Sequence, residues 1–449
     1  MHDPSSDPDL AALYASDRRA ALEKALTEVH PTTAAAFLGE LPAGEVWSLL
    51  QSLEPARAAE VFAALEDDFQ VELTELANAE QLVPLLAELA PDDRADLVQA
   101  MDEEVRDEVL PLLARAEREN IRRLASYEEE TAGALMTTDY ATLPETISIQ
   151  DALEKLRREA PDKETIYYVY VVDSERRLRG LVSLKDLIVA RPKGRTVGDI
   201  AHRDVVSVRV DQDQEEVARI LSDYDFLAIP VVDPEQRLVG IVTFDDAMDV
   251  MEDEAEEDLY HMASVSTEER IDTPLLASVR LRWGWLVINL GTALLAAVTV
   301  GLFESTIARF TALAVMMPII AGMGGNAGTQ TMAVVVRGLA LGELSFAECW
   351  KVLLKEVGVG LINGTINGAL MAGIAFWWYG NPWLGLIMLF AMMGNLAIAG
   401  VFGAGFPLAL KALGHDPALA SSIFITTATD VGGFLLFLGL ATVFMHYLV

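Results

Sequence analysis

The sequence predicts a multi-domain membrane protein: an α-helical superhelix, a tandem pair of α/β modules, an acidic connecting helix, and a five-helix transmembrane domain. Three observations carry that prediction. First, charge is split unevenly. Of 33 Lys and Arg and 68 Asp and Glu, only seven and six fall after residue 275, so the first 275 residues hold 26 basic against 62 acidic side chains. Second, two repeats of different period follow one another in the acidic half. Third, the near-neutral half is a series of apolar stretches, each long enough to cross a bilayer, which takes about 20 residues. A chain of 449 residues exceeds one ordinary domain. The expected division is 1–130, 131–252, 253–275 and 276–449.

The start, MHDPSSDPDL, is polar and acidic and lacks the basic and apolar regions of a signal peptide. From residue 15 to about 126 a helical repeat is expected. Leu41, Leu53, Leu65, Leu76, Leu89, Met101 and Leu113 recur at steps of 12, 12, 11, 13, 12 and 12. Short amphipathic stretches such as PAGEVWSLLQSL and PDDRADLVQAM lie between them. Pro suits the first helical turn, and carboxylates suit the positive end of a helix dipole. Short helices at this period stack into a superhelix, each burying an apolar stripe on its neighbours. Such an array is a scaffold or docking surface, and it shows no catalytic constellation.

From residue 131 to about 252 a second repeat has an offset of 60. VVDSERRLRGLVSLKDL begins at Val171 and VVDPEQRLVGIVTFDDA at Val231, pairing Asp173 with Asp233, Gly180 with Gly240, Ser183 with Thr243 and Asp186 with Asp246. Each copy reads as strand, polar turn, strand, then S/T-x-x-D opening a helix. This resembles a tandem of CBS domains, in which the S/T-x-x-D residues hold a nucleotide ribose. A plain helix N-cap accounts for the same residues. The run Ile166-Tyr167-Tyr168-Val169-Tyr170 suits base stacking or simply a strand.

Residues 245–275 read as a charged helix. Asp245, Asp246, Asp249, Glu252, Asp253, Glu254, Glu256, Glu257 and Asp258 crowd together, and like charges one turn apart oppose a helix. Either a hydrated divalent cation neutralises them or they form a solvated linker. An acidic soluble half argues against nucleic acid, which needs a basic surface. A single cysteine, Cys349, excludes an internal disulfide and disfavours structural zinc.

Five spans are expected at about 283–303, 311–336, 352–378, 382–410 and 419–446. Arg280, Arg282, Arg337, Lys351, Lys355 and Lys411 fall on one side and Arg309 on the other. The first side is therefore cytoplasmic, with the N-terminal domains, and the C-terminus lies outside. The second span carries Pro318 and the run Gly322 to Gln330, which reads as an interruption lining a cavity, with Asn326 facing a hydrated ion, or as close packing through small residues. Asn363, Asn367 and Asn395 read as interhelical hydrogen bonds. Asp430 lies well inside the fifth span, beside Thr426, Thr427, Thr429, Gly432 and Gly433. An ionisable group at that depth points to a cation site in a pore, or to a protonated Asp in a helix contact.

The order of parts resembles the MgtE family of magnesium channels over nearly the whole chain. The strings that carry the resemblance are LASYEEETAGALMT, ETIYYVYVVD, DQDQEEVARILSDYDFLAIPVVD, GGNAGTQ, LLKEVGVGL and DPALASSIFITTATD. The resemblance implies a homodimer in the lipid bilayer of the cell (inner) membrane. It passes Mg2+ inward through a pore lined by the second and fifth spans, with Asp430 as the pore carboxylate. It also implies closure by Mg2+ on acidic residues, which match here as Glu60, Asp92, Asp96, Glu215, Asp225, Asp246, Asp249, Glu254, Glu257, Asp258 and Asp416. Some members bind ATP, and Tyr168, Lys185, Asp186 and Phe226 match that site.

Thr329 stands where the family has Asn, SSIFITT lacks the family's Asn-Pro, and Lys185 replaces an Arg that offers a planar fork. Three alternatives stand beside this expectation. One is a transporter for Mn2+, Co2+ or Ni2+, which oxygen ligands disfavour. Another is a non-conducting membrane sensor. The third is an intramembrane aspartyl protease, which needs two carboxylates at one site. Asp416 and Asp430 are about 21 Å apart at helical rise, so no enzyme is expected.

Overall fold

The computed structural model describes residues 10–449 apart from 17, 161–162, 164, 191–194, 272 and 345–348. The polar start, residues 1–9, lies outside the described residues. The chain separates into two compact units, Met1–Met251 and Glu252–Val449.

The first unit begins with short helices, among them Pro31–Leu38, Ala43–Leu50, Pro55–Ala63, Asp67–Leu76, Ala79–Glu88 and Pro91–Ala100. Pro31, Pro55 and Pro91 each occupy a first helical position, where no amide proton is needed. Asn78 and Gln81 cap the start of Ala79–Glu88 with a reciprocal box. Each helix packs on the one two places along: Pro31–Leu38 on Pro55–Ala63, and that on Ala79–Glu88. The result is two rows of helices around one apolar core. The repeat residues Leu53, Leu65, Leu89, Met101 and Leu113 are buried at helix ends, while Leu41 is partly buried. Leu76 is a correction: it is 54% exposed. Ala77, twelve residues from both Leu65 and Leu89, takes the inward position, and Leu73 supplies the missing volume at 0% exposure.

Each α/β copy holds a three-stranded sheet. In the first, β1 (Tyr140–Pro144) pairs parallel with β2 (Thr165–Val172), which pairs antiparallel with β3 (Leu178–Ser183). In the second, β4 (Val208–Arg209), β5 (Ala228–Val232) and β6 (Leu238–Thr243) repeat that order. Val171 opposes Gly180 and Val231 opposes Gly240, so the offset of 60 is preserved in register. Both hairpin turns contain a left-handed residue, Arg176 and Gln236. The turns also exchange bonds: Leu178 N–H donates to Gln236 O and Leu238 N–H to Arg176 O, a local two-fold. The segment 131–138, which precedes the first copy in sequence, packs on the second. Thr137 bonds Ile241, and a Cβ at Gly240 would strike Met136.

The helix opening with Asp245 and Asp246 runs Phe244–Ala263 and belongs by sequence to both units. It does not reach residue 275, as the charge pattern suggested. It stops at Ser264, whose φ is +58°, and an irregular stretch precedes the first span.

Among the described residues the second unit has five helices long and apolar enough to cross a membrane: Leu275–Gly301, Ala312–Ala340, Cys349–Tyr379, Pro382–Ala412 and Ser422–Val443. The fourth lies at the centre and touches the second, third and fifth. Gly360, Gly364 and Gly368 let the third span approach the backbone of Leu396, Met393 and Leu389, leaving no room for a Cβ. The second span is one continuous helix with Pro318 inside it. The expected interruption is therefore corrected, because the carbonyls of the glycine run lie within a helical backbone.

Candidate functional site

The fifth span is preceded by a short turn, Pro417–Leu419, and capped by Ser421, whose hydroxyl accepts from Ile423 N–H at 3.2 Å. Two turns further on, Thr427 and Thr429 hydroxyls donate back to helix carbonyls, at 2.7 Å to Ile423 O and 3.1 Å to Ile425 O. Asp430 follows. It is half-buried, and its Oδ1 is buried with no hydrogen-bond partner among the described residues. A carboxylate oxygen left unmatched in an apolar span is costly unless another group completes its coordination.

The glycine run of the second span lies against this stretch. A Cβ on Gly325 would meet Thr426 at 3.4 Å, and one on Gly324 would meet Thr429 Cβ at 3.0 Å. Gly328 lies against Ile425 and Ala399. So Gly324, Gly325 and Gly328 serve close packing, while Asn326 and Gln330 project from the opposite, exposed face. Polar amides on the outer face of an apolar span need water, protein or an ion beside them. Asn395 makes the expected interhelical bond, Nδ2 to Ile320 O at 2.8 Å. Asn367 does not; it donates to Asn363 O in its own helix, and Asn363 is exposed. Glu356 of the third span, for which the residue pattern suggests no role, is 6% exposed and accepts from Thr331 of the second at 3.4 Å.

Outside the spans, the acidic residues form two groups. In the first unit Asp96 is raised to about 6, by burial and then by repulsion from Asp67, Asp246 and Glu129. Asp246 is also raised, chiefly by burial, and its carboxylate takes the Thr243 hydroxyl at 2.5 Å. Asp67 and Glu129 join the expected residues here; only tertiary proximity reveals them. Asp92 is buried nearby in sequence, on the same helix. Glu60 instead pairs with Arg57 at 2.8 Å. Glu215 sits in the first turn of the helix Gln214–Asp223, and Asp225 follows that helix in a left-handed conformation. Asp249 and Glu254 lie on the connecting helix.

In the second unit Asp258 is raised to about 6, by burial and then by Asp416 and Glu257, with His261 opposing. His261, which the sequence did not single out, reaches Asp416 at 3.3 Å and Glu257 at 3.5 Å. Among the described residues, no three His, Cys, Asp or Glu converge closely enough to chelate a bare ion. Acids spaced more widely suit an ion that keeps its waters, as Mg2+ does.

Of the nucleotide candidates, Tyr168 opposes Ser183 across the β2–β3 ladder. Ser183 and Asp186 form a full capping box, with Oγ to Oδ2 at 2.6 Å. The N-cap role is therefore real, and it holds the Asp186 carboxyl below its usual range, with His202 adding to the effect at 3.6 Å. Lys185 is exposed. Phe226 stands apart in the core of the second copy, stacked on Tyr224 with centroids 5.3 Å apart.

Comparison with known proteins matches each region. Residues 317–440 match the MgtE divalent cation transporter family, 29–130 the MgtE intracellular N domain, and 132–193 and 197–253 the CBS domain. The chain is 40% identical over 440 residues to the magnesium transporter MgtE of Thermus thermophilus, covering 97% of each. It is 33% identical over 423 residues to that of Bacillus subtilis, covering 94% of each. A solved cytosolic domain of the Mg2+ channel MgtE in complex with ATP superposes with TM-score 0.51 at 45% identity, covering 54% of this chain and 97% of that one.

Proposed function

The chain belongs to the MgtE family of magnesium transporters, and on that premise we propose a homodimeric, Mg2+-selective channel that admits Mg2+ and closes when Mg2+ binds its acidic cytosolic residues. A multi-pass membrane protein that transports Mg2+ follows from the relatives and the five spans. The dimer, the direction and the closure are our reading.

Asp430 carries it. Its Oδ1 is buried without a partner among the described residues, and Asn326 and Gln330 expose amides on the span packed beside it. A second copy across an axis supplies what is missing. Two Asp430 carboxylates hold one hydrated Mg2+ through its waters, which suits an ion that dehydrates reluctantly. The cation also removes the repulsion between two buried carboxylates. Asn326 lines the same path. Orientation follows the basic residues: cytosolic domains inside and C-terminus outside.

Closure rests on Glu60, Asp92, Asp96, Glu215, Asp225, Asp246, Asp249, Glu254, Glu257, Asp258 and Asp416. The raised carboxyls of Asp96, Asp246 and Asp258 support this, because acids that repel one another are stabilised together by a shared cation. Mg2+ shifts the gate by its higher affinity for the state that gathers them. ATP binds at Tyr168, Lys185, Asp186 and Phe226, in line with the solved relative that holds it.

The test is Mg2+ uptake into proteoliposomes holding wild type or Asp430→Ala, at low and high Mg2+ on the cytosolic side. Uptake that needs Asp430 and is suppressed by high internal Mg2+ is expected. Uptake surviving the substitution removes Asp430 from the path. A folded wild type that passes Mn2+ or Co2+ in preference to Mg2+, or nothing at all, overturns the selectivity or the channel itself.

A further inference from the structure

The connecting helix ends in a conformation that a serine adopts at a cost. Ser264 has φ +58°, the left-handed region where glycine is the usual residue at a helix end. The termination is regular: Ser264 N–H bonds His261 O and Val265 N–H bonds Tyr260 O, both at 3.0 Å. Glycine would serve this turn without strain, so the serine side chain needs another reason to be there.

That reason is visible. Ser264 Oγ lies 2.5 Å from Ser421 Oγ, and both residues are buried, at 8% and 0% exposure. Ser421 is the N-cap of the fifth span, and its hydroxyl oxygen already accepts from Ile423 N–H. The pair thus ties the residue that ends the connecting helix to the N-cap of the helix that carries Asp430. Beside it Met262 packs against a cluster of Met332 and Val336 from the second span, Ala418 and Ala420 from the turn before the fifth, and Ile425 from the fifth. On the same end of the helix Asp258 is repelled by Asp416 and Glu257, with His261 reaching both of those acids.

We propose that the Ser264–Ser421 hydroxyl pair is a latch that holds the connecting helix on the N-terminus of the fifth span, and so sets how much Mg2+ is needed to close the channel. The inference rests on the Mg2+-closure reading above. Ser264 is a positioning residue: it touches no ion and acts through the capped end of the pore helix. The latch favours the compact arrangement before any cation is bound. Removing it leaves more of the acid repulsion for Mg2+ to overcome.

The experiment measures Mg2+ uptake in proteoliposomes against cytosolic Mg2+, together with thermal stability, for the full chain. Ser264→Gly and Ser264→Ala are expected to raise the half-closing Mg2+ concentration by about two- to tenfold, the equilibrium equivalent of one hydrogen bond. Uptake at low Mg2+ should persist. Ser264→Gly relieves the left-handed strain, so its melting temperature should not fall even as closure weakens; a purely structural role would move both together. Ser421→Ala should shift closure the same way, and the double variant Ser264→Gly/Ser421→Ala no further than the larger single shift. A wild type that closes normally while Ser264→Gly closes at the same concentration overturns the latch. So does a double variant whose shift is the product of the two singles. A wild type that never closes with Mg2+ overturns the closure reading itself, and the latch with it.

Discussion

Gly433→Ala should disrupt the junction that positions Asp430. A Cβ there would lie 2.7 Å from Asn395 Cγ and 2.8 Å from both Nδ2 and Oδ1. Ordinary carbon contacts begin near about 3.5 Å. The Asn395 carboxamide has no slack: it is fully buried, its Nδ2 bonds Ile320 O at 2.8 Å, and Gly324 of the second span backs it from the other side. The new methyl forces the fifth span outward or breaks the bond to Ile320. Overpacking costs about 1–3 kcal/mol, and losing an interhelical bond in a membrane about 1–2 kcal/mol. The sum is about 2–5 kcal/mol, three residues from Asp430. Thermal unfolding in detergent should show a fall of several degrees, and Mg2+ uptake should drop. Adding Asn395→Ala removes the clashing group and should recover part of both losses. An unchanged melting temperature and uptake in Gly433→Ala would refute the reasoning, as would losses in the double variant that simply add.

In the N-terminal helices, Leu73→Ala should destabilise by about 2–5 kcal/mol because its side chain is fully buried, whereas exposed Leu76→Ala should stay within about 0.5 kcal/mol; chemical denaturation followed by circular dichroism separates them. Asp96 holds its proton up to about pH 6 in the fold, against an ordinary value of 3.8. The folded chain therefore binds more protons than the unfolded chain between those values, and this group's contribution weakens stability as pH rises through that window. Asp96→Asn, which mimics the protonated form, should thus gain in melting temperature over wild type as pH goes from about 4 to about 6 and then level off; a difference independent of pH contradicts it. Asp186→Ala should lose both a helix cap and any ATP-induced rise in melting temperature, whereas Ser183→Thr, which keeps the hydroxyl, should retain both.

Much of this protein is legible in its residue pattern, and the exceptions are instructive. The five spans and the paired sheets follow from local signals, apolar length and a 60-residue echo, that need no knowledge of what lies opposite. The repeat of twelve was readable too, but leucine content misplaced one position. Leu76 matched by type, whereas Ala77 matched by register, and packing follows register. Asn395 was recognised as an interhelical donor, while Asn367, of the same type and on the neighbouring span, bonds a carbonyl of its own helix.

Residue order alone determined which side chains are chemically capable: a carboxylate well inside the fifth span, amides on the second, and acids in excess before them. Tertiary structure decided which of them meet. It kept the second span helical through its glycines, because those glycines fit against Thr426, Thr429 and Ile425 and the backbone never has to open. It brought Asp67 and Glu129 to Asp96, and His261 to Asp416, across separations that no local period encodes. It also placed the segment 131–138 on the second α/β copy rather than the first. The physical reason is the same throughout: apolar length and periodicity are properties of one segment, whereas burial, repulsion, coordination and steric fit belong to pairs of segments and exist only once the chain has folded.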